Sequence, residues 1–390
     1  MDWDEVVSYM FEWRKQIHRF PEIGYEEHRT SEFVAALLKT CKCDFVRRVC
    51  STGVVGCLQG AQPGPTVAFR CELDGLAIQE ETGLDYASEI AGRMHACAHD
   101  GHMAVLLGLC KYLSDRRPNL RGNVAFIFQP AEEMIPKGGA RLLISEGVLE
   151  NPRVDYIIGF HIWPDLNVGT VGVNPGIVMA GGDAFRITFK GRGGHGGAPH
   201  TAIDATLIAS HSVLALQSIV SREIEPQTPV ALSVGMISGG TCPNIVPDSV
   251  MLSGTARYLD SELSVVLKEK VGRIAQGVAA VYGGHADVEY SVGYMPTVNS
   301  PEVAGIVREC AEEVLGVGSV IWGLSPSMAS EDFSAYLEKV PGCYFWVGGR
   351  IPDTTQYPLH SPRFAFHDRA MVIALQVCLK LLGHLGCLPV

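Results

Sequence analysis

The chain has 390 residues, of which 47% are hydrophobic and 19% charged, and its formal net charge is −11. This length exceeds the size at which a single hydrophobic core stops growing, so we expect two domains. The acidic balance and the dispersed lysines and arginines argue against nucleic acid or an anionic membrane as a partner, and a small-molecule ligand fits better. No apolar run approaches the roughly 20 residues that cross a bilayer.

The start of the chain is acidic and lacks the basic and apolar segments of a secretory signal, so we expect a cytoplasmic protein. Its 12 cysteines are spread thinly, and most are expected to be reduced. Cys110, Cys310 and Cys378 lie in helix-like apolar stretches, where they are expected to act as small buried hydrophobes.

Two helices are predicted in residues 1–40, separated by a turn at 20–24. Three short apolar runs then end abruptly in polar residues, as is typical of buried parallel strands with helices between them. Because ligands sit beyond the carboxyl ends of such strands, we expect these polar residues to meet at one rim. The runs lie at 66–70, 124–128 and 156–160, and the polar residues are Glu72 and Asp74, Glu132 and Glu133, and His161.

Near residue 181 the pattern changes to alternating polar and apolar residues, which indicates an antiparallel sheet with one solvated face. Thr201 with Asp204 predicts a capping box at the start of the first helix of this region. The order strand, helix, two strands, helix, strand is a split βαβ pattern, and we place an inserted domain at 181–293. The predicted elements include strands at 184–190 and 250–257 and helices at 202–220 and 261–282.

The last part of the chain returns to the first pattern, with a helix at 301–315, a strand at 343–347 and a closing helix from about residue 368. The catalytic domain is therefore expected to be discontinuous, comprising 1–180 and 294–390. The predicted fold class is α/β, with a mostly parallel sheet flanked by helices and an inserted α+β domain.

Residues 94–102 contain three histidines, a cysteine and an aspartate, the side chains that bind transition metals. Cys97 and His99 are separated by one residue, which places both side chains on one side of an extended or loop segment. On a helix they would point about 200° apart, so the helix is predicted to begin after His99, near residue 104. His95 follows the same alternation as a third candidate ligand, although a supporting role beside the ligands is equally consistent.

Glu132 and Glu133 follow a predicted strand, where acidic residues at the start of a new helix are the alternative interpretation. Pro136 and the glycines after it disfavour a helix there. Adjacent carboxylates in a loop can diverge, so that one binds metal and the other takes a proton from water.

His161 and His360 are expected to open on the same rim. Together with Cys97, His99 and Glu133 they make five candidate ligands, more than one catalytic zinc uses while keeping an open position. The pattern therefore predicts two metal ions about 3.5–4 Å apart.

The glycine-rich loop at 191–196 matches G-x-G-x-x-G, follows a strand and precedes a helix, which is a dinucleotide-binding pattern. The preceding strand alternates instead of being fully apolar, and no acidic residue ends a second strand about 20 residues later. A nicotinamide-dependent oxidoreductase using this loop is kept as an alternative function.

Several separated motifs, in order, resemble the M20 metallopeptidase family, in particular its aminoacylases, hippurate hydrolases and auxin-conjugate hydrolases. The resemblance covers nearly the full length of the chain. The motifs are Phe20-Pro21-Glu22-Ile23-Gly24, Met94-His95-Ala96-Cys97-Ala98-His99-Asp100-Gly101-His102, Gln129-Pro130-Ala131-Glu132-Glu133, residues 191–200, Ser330-Glu331-Asp332-Phe333 and His360-Ser361-Pro362.

The resemblance implies that the five candidate ligands hold two divalent ions, zinc or manganese with cobalt or nickel as alternatives, and that Glu132 is the general base. It implies a ferredoxin-like inserted domain that acts as a lid and forms a homodimer or larger homo-oligomer. Within this domain His195 would stabilise the oxyanion, and Asn244 and Arg257 would hold the carboxylate of the substrate. Asp74 and His95 are expected to contact the metal ligands and hold them in position without binding the metals.

Three departures from the usual motifs of the family bear on the substrate range and on the shape of the loop: Glu72, Ala98 and segment 134–137. The sequence nevertheless predicts a two-metal amidohydrolase that cleaves an N-acyl amino acid or a related aryl or acyl amide. A non-catalytic homologue that keeps the fold and binds metal is the second alternative.

Overall fold

The computed structural model describes residues 2–389. Nine α-helices occur in this range, among them two short ones. They are α1 Trp3–His18, α2 His28–Thr40, α3 His99–Ser114, α4 Ala140–Ser145, α5 Ala205–Ser218, α6 Glu262–Val281, α7 Pro301–Leu315, α8 Ser334–Leu337 and α9 Arg369–His384.

Sixteen strands are described in the same range. They are β1 Phe45–Val49, β2 Gly53–Gln59, β3 Gln62–Glu72, β4 Arg121–Gln129, β5 Tyr156–Asn167, β6 Val171–Val173, β7 Ile177–Lys190, β8 Gly194–His195, β9 Val230–Gly239, β10 Ile245–Val246, β11 Ser249–Tyr258, β12 His285–Tyr294, β13 Thr297–Val298, β14 Val320–Trp322, β15 Ser327–Ser330 and β16 Gly342–Arg350.

The larger sheet has eight strands in the order β1-β2-β4-β3-β5-β16-β6-β14. Its centre is parallel, since β4 with β3, β3 with β5, and β5 with β16 run in the same direction. The pairs β1 with β2, β2 with β4, and β16 with β6 are antiparallel. The three apolar runs predicted to be parallel strands therefore lie at the centre of a mixed sheet, and that prediction is confirmed.

Helices cover both faces of this sheet, which explains why its central strands are apolar without interruption. Along β4, Phe126 and Phe128 join the hydrophobic cluster that contains α1, α3 and α9, whereas Ile127 joins the cluster on the opposite face with α4 and α8. Because alternate residues enter different apolar layers, every position of the strand from Val124 to Gln129 is buried.

The smaller sheet has the strand order β12-β7-β11-β9, all antiparallel, and packs against α5 and α6 around its own hydrophobic cluster. This is the split βαβ pattern that the alternating segments predict. Strand β7 also pairs with β13 and β15 near Met179, so one continuous strand connects the two parts of the molecule. The boundaries at 181 and 293 stay a prediction.

The predicted capping box at the start of α5 is wrong in one respect. Asp204, and not Thr201, is the N-cap, and its carboxylate accepts hydrogen bonds from the amides of Thr206 and Leu207. An aspartate is as effective a cap as the threonine, and local geometry decides between them. All 12 cysteines are free, and Cys110, Cys310 and Cys378 are buried as expected. Within residues 2–389 we find no helix with the length and apolarity to cross a bilayer.

Candidate metal centre

Three central strands deliver polar side chains to one end of the larger sheet. Asp74 lies just beyond β3, Glu132 and Glu133 lie beyond β4, and His161 lies within β5, which continues to Asn167. The predicted common rim is confirmed. It is built by parallel strands whose carboxyl ends point the same way.

The N-terminus of α3 contributes two further side chains. Helix α3 begins at His99 itself, about five residues earlier than predicted. Cys97 and His99 still do not share a helix, because Ala98 between them is in the left-handed conformation with φ 62°. The site uses this turn to bring both side chains to the rim.

The five predicted ligands form two groups of three that share Cys97. In each group the potential ligand atoms lie within 4.8 Å of one another. The Sγ of Cys97 is 3.4 Å from Nε2 of His161, and Nε2 of His360 is 3.0 Å from Oε1 of Glu133. The groups are Cys97, His99 and His161, and Cys97, Glu133 and His360.

Backbone and side-chain contacts orient three of these residues. Asp74 accepts a hydrogen bond at its carbonyl oxygen from Nδ1 of His99 at 2.8 Å, and at Oδ2 from the amide of Glu133 at 2.9 Å. Nδ1 of His161 lies 2.9 Å from the carbonyl oxygen of Ile162. Each imidazole is therefore held through Nδ1, which leaves Nε2 as the nitrogen available to a metal.

His102 and His95 lie near the ligands without joining either group. His102 places Nδ1 2.7 Å from Glu72 and accepts a hydrogen bond at Nε2 from the amide of Ile162 at 3.0 Å. Glu72, one of the three departures from the family motifs, thus contacts His102. His95 is buried, and its ring nitrogens make no hydrogen bond within residues 2–389.

The electrostatics of the centre favour bound cations. Burial and the nearby Glu133 and Glu132 carboxylates raise the pKa of the Cys97 thiol well above its usual value. Burial, together with Glu331 and Glu133, raises the pKa of Glu132 in the same direction. Burial lowers the pKa of His161, which keeps its imidazole neutral. Divalent ions would compensate this concentration of acidic groups.

The donor set fits a pair of divalent ions. Thiolate, imidazole and carboxylate together suit zinc and other first-row metals. Oε1 of Glu133 is buried and lies 3.0 Å from Nε2 of His360 without forming a regular hydrogen bond, as expected for two ligand atoms that a shared cation would satisfy.

A cavity of about 140 Å³ adjoins the two groups. Arg257 from β11 lines it, and Nη1 of this arginine donates to the carbonyl oxygen of Ala256 at 3.1 Å. The cavity is also lined by the apolar side chains of Ile135, Trp163, Met179 and Leu359. Ile135 belongs to segment 134–137, which differs from the usual motif of the family. This sequence difference therefore changes a residue that lines the cavity.

His195 and Asn244 lie elsewhere. They line a separate cavity of about 570 Å³ beside the pairing of β8 with β10, where the amide of Gly196 donates to the carbonyl oxygen of Asn244 at 2.8 Å. Nδ1 of His195 accepts from the amide of Gly197 at 3.0 Å. The structure therefore brings Arg257 to the metal centre, and it does not bring these two residues there.

The glycine loop does not form a dinucleotide site. Residues Gly194 and His195 pair with Ile245 and Val246 as a two-stranded ribbon, and α5 begins only at Ala205. A phosphate-binding fingerprint needs a parallel strand that leads directly into a helix N-terminus. The oxidoreductase alternative loses its structural basis.

Two residues that hold the turn after β4 were missed by the sequence interpretation. Glu27 accepts a hydrogen bond from the amide of Ala131, and Tyr294 donates one to the carbonyl oxygen of Glu132. The only signal was the position of Glu27 just after the motif at 20–24, and spacing alone does not connect it to Glu132.

Comparison with known proteins identifies the class. Residues 68–384 match the model of peptidase family M20/M25/M40. The chain is 36% identical to N-acetyldiaminopimelate deacetylase of Streptococcus gordonii, covering 95% of this chain and 97% of that protein. It is also 36% identical to N-acetyl-L-cysteine deacetylase of Bacillus subtilis, covering 93% and 84%.

Among solved structures, the Bacillus subtilis YXEP protein, described as a dinuclear metal binding peptidase from the M20 family, superimposes with a TM-score of 0.80. The two chains are 32% identical, with 97% of this chain and 98% of that chain covered. The fold and site thus define a metal-dependent hydrolase of amide bonds. The chain belongs to peptidase family M20/M25/M40.

Proposed function

We propose that this protein hydrolyses the amide bond of a small N-acyl amino acid. The observation that carries the proposal is the pair of three-residue groups sharing Cys97, with Glu132 and Arg257 lining the same cavity. The names of two relatives, deacetylases of N-acetyl amino acids, support the same substrate class.

Cys97, His99 and His161 would hold one divalent ion, and Cys97, Glu133 and His360 the other, with Cys97 as the shared ligand. Zinc or manganese suits these donors, with cobalt or nickel as alternatives. When bound, such ions polarise the scissile carbonyl and lower the pKa of water.

Glu132 takes the proton of the attacking water and delivers it to the leaving nitrogen. The water oxygen bonds to the carbonyl carbon, the carbon–nitrogen bond breaks, and the products are a carboxylate and an amine. Arg257 offers a bidentate partner for the substrate carboxylate. Ile135, Trp163 and Met179 present an apolar wall to the acyl group.

His195 would stabilise the oxyanion, and Asn244 would bind the substrate carboxylate. Since both line a different cavity from Arg257, this role requires either a movement of the smaller sheet or a second copy of the chain. We propose a homodimer formed through the smaller sheet, and a cytoplasmic location.

The replacement Glu132→Gln tests the proposal. It keeps the shape of the side chain and removes its ability to accept a proton, so kcat should fall by about 10²–10⁴-fold on a panel of N-acyl amino acids. Metal content, measured by elemental analysis, should stay unchanged. The exposed Glu26→Gln serves as the matched control. Full turnover by the Glu132 variant, or activity in protein without metal, would overturn the proposal.

A further inference from the structure

The backbone of the turn that carries Glu132 is held by side chains from distant parts of the chain. Oε1 of Glu27 accepts from the amide of Ala131 at 2.8 Å, and the hydroxyl of Tyr294 donates to the carbonyl oxygen of Glu132 at 2.6 Å. The next amide is held by Asp74, as described above. Three consecutive residues of the turn thus have their backbone fixed by side chains.

Glu27 is itself a fully buried carboxylate. Its Oε2 accepts a hydrogen bond from the hydroxyl of Thr52 at 2.7 Å. Burial, reinforced by Asp74, raises the pKa of Glu27 to about 7. Because burying a carboxylate is costly, its presence here indicates that a strong acceptor for the Ala131 amide is needed.

Ala131 requires such a restraint. It has φ 59°, in the left-handed region that a non-glycine residue enters only at an energetic cost. The hydrogen bond from its amide to Glu27 opposes relaxation of the turn toward an ordinary conformation. Relaxation would rotate the peptide that leads into Glu132.

The segment before Glu27 packs directly against the same turn. A Cβ on Gly24 would lie 2.9 Å from Cα of Ala131 and 2.4 Å from Cγ of Met134. Only glycine permits this close approach. The motif at 20–24, which the proposed mechanism does not use, therefore places its end against the turn that carries the general base.

We propose that Glu27 is a positioning residue for Glu132: it holds the Ala131 amide and thereby fixes the orientation of the Glu132 carboxylate toward the attacking water. This inference rests on the proposed function of Glu132 as the general base. Glu27 does not touch the substrate in this role, and it acts only through the turn.

The test compares Glu27→Ala and Glu27→Gln with wild type and with Glu26→Gln, whose exposed side chain pairs with Arg93. The alanine variant should bind both metals and lose about 100-fold in kcat with KM changed less than about threefold, the scale of a small misplacement of a catalytic group. The glutamine variant keeps a carbonyl acceptor for the amide and should recover most of the loss. A general loss of stability would lower both variants alike.

Hydrogen exchange provides a readout that does not depend on turnover. The amide of Ala131 should exchange faster in the alanine variant and stay protected in the glutamine variant. Unchanged protection, or wild-type kcat in metal-loaded Glu27→Ala, would overturn the positioning role. Inactivity of wild type and Glu26→Gln on the whole panel would count instead against the proposed function.

If Glu27→Ala does not fold, Thr52→Val replaces it. This change removes the donor to the other carboxylate oxygen and leaves Glu27 in place, so the same loss of kcat and faster Ala131 exchange should appear in weaker form. Wild-type values of both quantities in this variant would overturn the proposal.

Discussion

At the scale of single residues, buried charges are stabilised by specific partners. His18 is buried, with Nδ1 2.9 Å from Oδ2 of Asp100 and Nε2 3.2 Å from Oε1 of Glu80. Burial opposes a charge on this imidazole, but the two carboxylates outweigh it and raise the pKa from 6.5 to about 9. His18 is therefore a cation within the fold at neutral pH.

This raised pKa predicts a pH-dependent stability. The contribution of His18 should be fully present below about pH 6.5, where the unfolded state is also protonated, and lost as the pH rises through about 9. The shift corresponds to about 3 kcal/mol. We expect the difference in unfolding free energy between wild type and His18→Asn to shrink across this interval. A pH-independent difference for His18 would contradict the assignment.

At the scale of elements, the start of α3 depends on one left-handed residue. Ala98 occupies a conformation that favours glycine, and its side chain is buried. The departure from the glycine usual in the family thus carries a backbone cost. The turn nevertheless places Cys97 and His99 at the metal centre.

Replacing Ala98 with glycine should relieve this cost. We expect Ala98→Gly to keep both metals and to gain up to about 1 kcal/mol of unfolding free energy, measured by denaturant titration. Ala104→Gly, within the regular part of the same helix, should instead lose about 1 kcal/mol. Equal losses in both variants would show that the left-handed backbone at residue 98 is not strained.

At the scale of the whole molecule, the smaller sheet presents apolar side chains to solvent. Met236 and Ile237 on the edge strand β9 are 59% and 58% exposed, and Leu214 on α5 is 73% exposed. An edge strand with exposed apolar residues is a ready surface for pairing with another chain. This supports the proposed homodimer.

A charge on this edge should separate the subunits. We expect Ile237→Asp to run as a monomer in light-scattering chromatography under conditions where wild type is a dimer. Val281→Asp, at an 80% exposed position at the end of α6, is the matched control and should leave the dimer intact. If a second copy supplies His195 and Asn244, the monomer should keep its metals and lose turnover. A monomeric wild type would exclude this arrangement.

Local sequence patterns by themselves determined the central strands of the larger sheet, most of the longer helices and the chemistry of the ligands. Continuous apolar runs indicated that β3, β4 and β5 are buried on both faces, and alternation of polar and apolar residues indicated that β7 and β11 have one solvated face. Both patterns are visible in the sequence because successive side chains of a strand point to opposite faces. The residue types at Cys97, His99 and Glu133 pointed to metal binding, because thiolate, imidazole and carboxylate have that chemistry wherever they lie.

Tertiary structure alone decided which of these residues meet. Strand order and register decide that Cys97 is shared by the two groups and that His195 lines a different cavity. They also bring the amide of Ala131 to the carboxylate of Glu27, 104 residues away in sequence, to which it donates a hydrogen bond. The start of α3 at His99 and the cap at Asp204 likewise follow from backbone geometry that neighbouring residues do not specify. Periodicity identifies the buried face of an element, but contacts between distant segments arise only when the elements pack together.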